Sequence, residues 1–149
     1  MSFQIEIKGL DTLRKKFAQA PKTFEPILKN GIVDSAKVIV RNEITEAPVK
    51  TGNLRRSILF KYSPIQAIIK PNSEYAYWVH EGTGIYAGKG MIRPKNAKVL
   101  AWRSGGQWVF AKAVSGQKPN RFVERAWKKS ESPIKRIFDK MLKDVVGKL

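Results

Sequence analysis

The chain has 149 residues, of which 42% are hydrophobic and 28% are charged, and its formal net charge is +17. This composition is typical of a folded protein, and no stretch approaches the roughly 18 apolar residues of a membrane span. The absence of cysteine excludes disulfides and thiolate metal sites. Because the N-terminal sequence lacks the basic start and apolar run of a signal peptide, we expect synthesis in the cytoplasm and no membrane association.

Positive charge is concentrated in the middle of the chain. Residues 47–121 hold 13 Lys or Arg against two acids, a net of +11, whereas residues 1–46 carry +2 and residues 122–149 carry +4. A clustered excess of this kind attracts polyanions, so it indicates a surface for DNA phosphates or for an acidic protein. The alternative is a solvated surface that aids solubility by self-repulsion.

The first third of the sequence predicts a strand followed by two helices. Apolar residues alternate over Phe3–Ile7, which is typical of a half-buried strand. Asp11 can cap a short helix that Pro21 ends. A longer helix is predicted from Thr23, as its N-cap, to about Glu46.

The segment Ala47–Ile58 marks a change of structure. Pro48 cannot continue a helix, and Thr-Gly-Asn then supplies residues that favour a turn. From this point the pattern alternates, so we expect strands at Leu54–Tyr62 and Ile65–Ile69. A third aromatic, β-prone strand is expected at Tyr75–Val79.

The second half predicts loops, a hairpin and a helix. Gly82–Gly90 is a glycine-rich loop, and two apolar runs flanking Arg103–Gln107 predict a β-hairpin. Apolar residues recur at helical spacing from Phe122 onwards, with Pro133 either inside one long helix or in the first turn of a second. Together these elements predict one α+β domain over residues 1–149. We expect a small, mainly antiparallel sheet packed against a long helix, with an N-terminal strand-helix and a C-terminal helix.

No pattern for catalysis or cofactor binding is present. Gly82–Gly90 fails the phosphate-loop pattern, because Thr83 stands where its first glycine belongs and Gly90 where its Ser or Thr belongs. His80 is the only histidine, and without cysteine the common zinc sites are excluded. We therefore expect no enzymatic activity, no metal, no cofactor and no small-molecule substrate.

The tryptophans admit two interpretations. Trp78, Trp102 and Trp108 lie within the basic region, where aromatic rings can stack on single-stranded bases. Their alternating or hairpin context favours packing in the core or at an interface instead.

Three short segments of the chain each contain a different short motif. Ala47–Ile58 contains Ala-Pro, Thr-Gly, Leu-Arg and Ser-Ile pairs; Tyr75–Thr83 contains Tyr-Ala followed by Val-His-Glu-Gly-Thr; and Pro119–Ala126 contains a Pro, an aromatic and an Ala at a helix start. In this order they resemble the small neck or tail-completion proteins of long-tailed bacteriophages. Three residues depart from the family pattern: Lys50, where many members have an acid, Arg121, inserted before the aromatic, and His80, which precedes the glutamate. Lys50 and Arg121 make this chain more basic.

The resemblance implies a non-enzymatic structural protein of the virion, located in the neck or tail. Such proteins form homo-oligomeric rings that join head to tail by stacking on connector and tail-tube or terminator proteins; contact with the packaged DNA is a further option. The residues that carry the family motifs are expected to be architectural, and they are Pro48, Thr51, Gly52, Leu54, Glu81, Gly82, Thr83, Phe122 and Ala126.

Charge alone selects the residues expected to face an acidic partner or DNA: Arg55, Arg56, Lys61, Lys89, Arg93, Lys95 and Lys98. The loops Gly82–Gly90 and Gly105-Gly106 are expected to contact neighbours or DNA. The alternative to a neck protein is a basic protein that binds nucleic acid without sequence specificity.

Overall fold

The computed structural model describes residues 5–6 and 24–147, which form two compact units. Unit 1 comprises the described residues up to Glu74 together with those from Phe122, and unit 2 is Tyr75–Arg121. The predicted helix between Asp11 and Pro21 lies outside the described residues. The α+β class is confirmed: helices pack with a small antiparallel sheet in unit 1, and a second two-stranded sheet lies in unit 2.

Helix α1 spans Phe24–Glu46 and supplies one side of the core of unit 1. Its buried positions recur every three or four residues, so they form one stripe along the helix. The stripe includes Ile32, Ala36, Ile39 and, unexpectedly for a core position, Glu43. Ala47 continues the stripe, and its N–H donates to the carbonyl oxygen of Glu43 at 2.8 Å.

The strand predicted at Leu54–Tyr62 begins later than expected, at Ile58. Residues Asn53–Ser57 form a short helix, α2, whose N-cap is Gly52. The Arg56 N–H donates to the Gly52 carbonyl at 3.1 Å, and the buried residues Leu54 and Ile58 lie four residues apart. A spacing of four residues is typical of a helix. The alternating pattern from Leu54 onwards had indicated a strand instead.

A three-stranded antiparallel sheet with the order β1-β3-β2 completes unit 1. The strands are β1 (Ile5–Glu6), β2 (Ile58–Ser63) and β3 (Gln66–Pro71). On β3, Ala67, Ile69 and Pro71 are buried while the residues between them are half-buried, as period-two alternation requires. Helix α1 contacts both β2 and β3, so the sheet packs against the long helix as predicted.

Unit 2 begins with a helix where a strand was predicted. Ala76–Glu81 is helix α3, with Val79 N–H bonded to the Tyr75 carbonyl at 3.0 Å. Ala76 and His80, one turn apart, are its buried residues. The alternating aromatic residues favoured a strand by propensity, but burial of one helical face outweighs that preference.

The rest of unit 2 contains a 3₁₀ turn at Gly84–Ala87 and a β-hairpin. The predicted hairpin is confirmed as β4 (Leu100–Ser104) and β5 (Gln107–Ala111), joined by Gly105-Gly106. Both loop glycines have positive φ, 58° and 83°, which a two-residue turn matched to the strand twist needs.

The C-terminal helix, α4, is one continuous helix over Phe122–Val146. Of the two alternatives for Pro133, the structure therefore has the proline inside a single helix, where its missing N–H leaves one helical bond unmade. Helix α4 packs on α1, and the Asn42 side-chain amide donates to Ser130 Oγ across this interface at 2.8 Å.

Candidate functional site

The first family-like segment is held together by its own arginine. Arg55 Nε donates to the carbonyl oxygen of Ala47 at 2.9 Å, and its Nη2 donates to that of Thr45 at 3.2 Å. These carbonyls lie at the C-terminal end of α1, where intrahelical donors run out. Arg55 is half-buried and already engaged. It therefore acts as a helix cap, a structural role that its charge alone did not reveal.

Pro119–Arg121, the part of the third family-like segment that lies in unit 2, bonds to the second family-like segment, although about forty residues separate them. The Asn120 N–H donates to the Val79 carbonyl at 3.0 Å, and the Arg121 N–H donates to that of His80 at 3.3 Å. The Arg121 guanidinium also bonds the Glu81 carboxylate at 2.7 Å. Glu81 and Arg121 therefore clamp the end of α3 to the segment that leads into α4.

Gly82 and Gly84 explain why the turn after α3 needs glycine. A Cβ at Gly82 would come within 2.7 Å of the Gln117 carbonyl oxygen, and one at Gly84 would overlap the Ser115 carbonyl. Both residues also have positive φ. Between them, Thr83 donates its N–H to the Gln117 carbonyl at 2.9 Å and accepts the Gln117 N–H at 2.8 Å. This half of the Gly82–Gly90 loop is thus packed on the chain itself.

The seven predicted basic residues do not form one group within either unit. Arg55, Arg56 and Lys61 belong to unit 1, and Lys89, Arg93, Lys95 and Lys98 belong to unit 2. Arg56 is exposed, and it bonds the carbonyl of Thr51 and the side chain of Asn53. The four in unit 2 are all exposed, so this group remains available to a partner.

Unit 2 contains an excess of cations that its own acids cannot balance. Its sequence has eight Lys or Arg and one carboxylate, Glu81, which Arg121 already engages. Several of the cations lie over aromatic rings instead: Lys89 Nζ is 4.6 Å from the Trp78 ring centroid, and Lys118 Nζ is 5.9 Å from that of Tyr86. Such pairs leave the positive charge at the surface.

One face of the β4–β5 hairpin combines cations with exposed rings. In the antiparallel register, Ala101 lies opposite Phe110 and Arg103 opposite Trp108, so these four side chains share a face. Trp108 and Phe110 are 60% and 63% exposed, the most exposed aromatic residues in the described part of the chain. Their rings stack at 25°, and the Arg103 guanidinium lies over Trp108, 5.6 Å from its centroid. We call Arg103, Trp108 and Phe110 the hairpin face.

Of the two kinds of packing predicted for Trp78, Trp102 and Trp108, packing in the core is wrong. Trp78, Trp102, Trp108 and Trp127 are all exposed, by 38–60%. Among the described residues, the core of unit 1 is filled instead by smaller aliphatic residues, Met141 and two phenylalanines, Phe24 and Phe122. Their use at an interface stays a prediction, which their exposure makes possible.

The described residues contain one buried acid that sequence reasoning missed. Glu43 is 1% exposed, and its Oε2 has no hydrogen-bond partner among the described residues. Burial raises the pKa of the Glu43 carboxyl to about 7. Its position in the α1 core stripe could have been found from the helical spacing. At the end of the same helix, hydrogen bonds from Lys129 and Arg125 lower the pKa of the Glu46 carboxyl.

Neither a metal centre nor a membrane-spanning helix is found within residues 5–6 and 24–147. No group of three or more His, Cys, Asp or Glu in this range could hold a metal ion, and no helix there is both long and apolar enough to span a bilayer. His80 is buried, with Nε2 3.5 Å from the Glu81 carboxylate. Between α1 and α4 lies a half-open cavity of about 360 Å³, lined by Asn30, Asp34, Lys140 and Asp144 among others.

Comparisons with family models, with curated proteins and with solved structures found no match. The candidate site is therefore defined by geometry alone. It is the exposed, basic and aromatic surface of unit 2, with the hairpin face at its most exposed point.

Proposed function

We propose that this protein is a structural component of a bacteriophage neck, where it completes the tail and joins it to the head. The observation that carries the proposal is the pairing of two family-like segments through Val79, His80 and Glu81 on one side and Asn120 and Arg121 on the other. Val79 and Glu81 of the second motif segment thus meet the start of the third, so two of the three segments lie side by side, although Arg121 itself departs from the family pattern.

Several motif residues lie in the core or in a closely packed turn, which is consistent with a protein that acts by assembly. Leu54, Phe122 and Ala126 are buried, while Gly82 and Thr83 secure the turn after α3. A ring requires two different complementary patches on each subunit, because its contacts are heterologous. The exposed surface of unit 2 supplies one candidate patch. The partners we propose are further copies in a homo-oligomeric ring, together with connector and tail-tube or terminator proteins of the virion.

A deletion of the gene from a phage or prophage tests this proposal. We expect filled heads and complete tails that fail to join, and we expect purified protein to restore infectivity when it is added to the mixed lysate. A matched control is the same protein with Phe122→Ala, which loses a fully buried ring and should not fold well enough to complement. Normal infectious particles that lack the protein would refute the proposed function.

The second candidate function is nucleic-acid binding without sequence specificity. The observation in its favour is the set of exposed rings beside cations, an arrangement that can stack bases and contact phosphates. It predicts that the log of the affinity for DNA falls linearly with the log of the salt concentration. If no binding to a mixed-sequence oligonucleotide is seen at about 50 mM salt, this function is excluded.

A further inference from the structure

The β4–β5 hairpin has an open strand edge. Because a two-residue loop joins the strands, Ser104 and Gln107 form a hydrogen-bonded pair, and bonded and non-bonded pairs alternate from there. Trp108 and Phe110 fall at non-bonded positions, so their own N–H and C=O groups point away from β4. No backbone hydrogen bond from elsewhere in the described residues reaches either strand. Among the described residues, the outer edge of β5 therefore presents backbone donors and acceptors that have no backbone partner.

The side chains at this edge do nothing to block another strand. Natural proteins protect open edges with charged residues, prolines or bulges, or cover them with another element. Strand β5, Gln107–Ala111, contains no charge and no proline, and it is paired with β4 without a bulge. Instead it presents Trp108 and Phe110, both mostly exposed. An uncharged edge with large rings beside it is suited to binding an added strand.

Charge selects the occupant of this edge. Unit 2 has eight cations and one engaged acid, so pairing with the same hairpin of a second copy would bring like charges together. A nucleic-acid strand can stack on the rings, but it cannot supply the alternating donors and acceptors that the β5 edge requires. An extended polypeptide has side chains that can pack on the rings and a backbone whose N–H and C=O groups can pair with the β5 edge. Acidic side chains on it would meet the surrounding cations.

We propose that the outer edge of β5 binds an extended, acidic polypeptide segment of another protein as a third strand. Backbone groups of Trp108 and Phe110 bond the added strand, and their rings pack against its side chains. Cations of unit 2, such as Lys112 at the end of β5, attract its carboxylates. The inference deepens the proposed function and rests on it only for the identity of the partner, a neighbouring protein of the virion.

The test uses the full chain and a fluorescein-labelled peptide of about eight residues that alternates glutamate with valine or threonine. Binding is followed by fluorescence anisotropy. Phe110→Ala removes a ring and is expected to weaken binding about tenfold. Phe110→Pro also removes the outward N–H, without touching the β4–β5 ladder, and is expected to weaken binding about fivefold more.

Ala101→Pro is the matched control, because Ala101 lies opposite Phe110 and directs its N–H to the outer edge of β4. This variant should bind the peptide as the unchanged protein does, and circular dichroism should show that all three variants keep their fold. A peptide with lysine in place of glutamate should bind at least tenfold more weakly.

Several results would overturn the inference. They are absence of peptide binding, equal binding by the Phe110→Ala and Phe110→Pro variants, equal weakening by Ala101→Pro, or an affinity for the lysine analogue equal to that for the glutamate peptide. Binding of a single-stranded oligonucleotide that depends on Phe110, without peptide binding, would assign the edge to nucleic acid instead. If the peptide binds as expected but phage without the protein are infectious, the edge site stands and only the neck function fails.

Discussion

Replacement of Glu43 by glutamine is expected to stabilise the protein at neutral and alkaline pH. Burial raises the pKa of the Glu43 carboxyl from 4.5 to about 7. Since the folded-state pKa lies above the unfolded value, the folded protein retains the proton more strongly. The contribution of the protonated Glu43 carboxyl to stability is therefore complete below the pKa of the unfolded state and is lost as the pH rises through the pKa of the folded state. The two pKa values correspond to at most about 3 kcal/mol of unfolding free energy.

Glutamine has the shape of the protonated acid and does not titrate, so the variant isolates this effect. Urea unfolding, followed by tryptophan fluorescence, should give similar unfolding free energies for the two proteins at about pH 4.5. At about pH 8 the Glu43→Gln variant should be more stable by roughly 1–3 kcal/mol. The m-values should not differ, because the surface exposed on unfolding is the same.

Glu46→Gln provides the control of opposite sign. Hydrogen bonds from Lys129 and Arg125 lower the pKa of the Glu46 carboxyl. This acid therefore contributes stability above its unfolded pKa and loses it as the pH falls through its folded pKa. We expect Glu46→Gln to destabilise at neutral pH and to have no effect in acid. A Glu43→Gln effect that is the same at every pH, or that destabilises at about pH 8, would refute the reasoning.

Two further substitutions test the roles of the family-like segments. Gly84→Ala places a Cβ against the Ser115 carbonyl at positive φ, so it should lower the free energy of denaturant unfolding by roughly 2–5 kcal/mol. Gly88→Ala is the control, because the space around Gly88 is open, and it should cost only about 1 kcal/mol. Equal losses for the two variants would contradict the close packing of this turn. Arg55→Ala removes the hydrogen bond to the Ala47 carbonyl and should lower the unfolding free energy by about 1–2 kcal/mol, measured by thermal unfolding; unchanged stability would instead favour the partner-facing role that charge alone suggested.

Local patterns predicted the elements whose signal is carried by neighbouring residues. The β4–β5 hairpin follows from two apolar runs around Gly105-Gly106, because glycines at positive φ favour the two-residue turn. The long helices follow from apolar spacing in Phe24–Glu46 and Phe122–Val146. The sequence did not predict α2 or α3, because over five or six residues the same apolar pattern fits a strand and a helix. Only the burial of one helical face distinguishes the two.

The candidate site was predicted less well than the fold. Charge correctly located the basic region, but it could not separate Arg55, which caps α1, from exposed cations such as Lys89. That distinction depends on which carbonyls lie within reach of a guanidinium, and this is decided by contacts between segments. The sequence left Trp108 open between the core and an interface and did not single out Phe110, because aromatic residues in a strand are more often buried.

The sequence by itself determined the α+β class, the hairpin, the long helices and the location of the positive charge, since each depends on residue type and short-range spacing. Only the tertiary structure decided which polar groups have hydrogen-bond partners and which lack them. It joined Glu81 to Arg121, left the Glu43 Oε2 without a hydrogen-bond partner among the described residues, and left the outer edge of β5 without a backbone hydrogen bond from any other described segment. The physical reason is that hydrogen bonds between distant segments depend on long-range contacts, which no local pattern encodes.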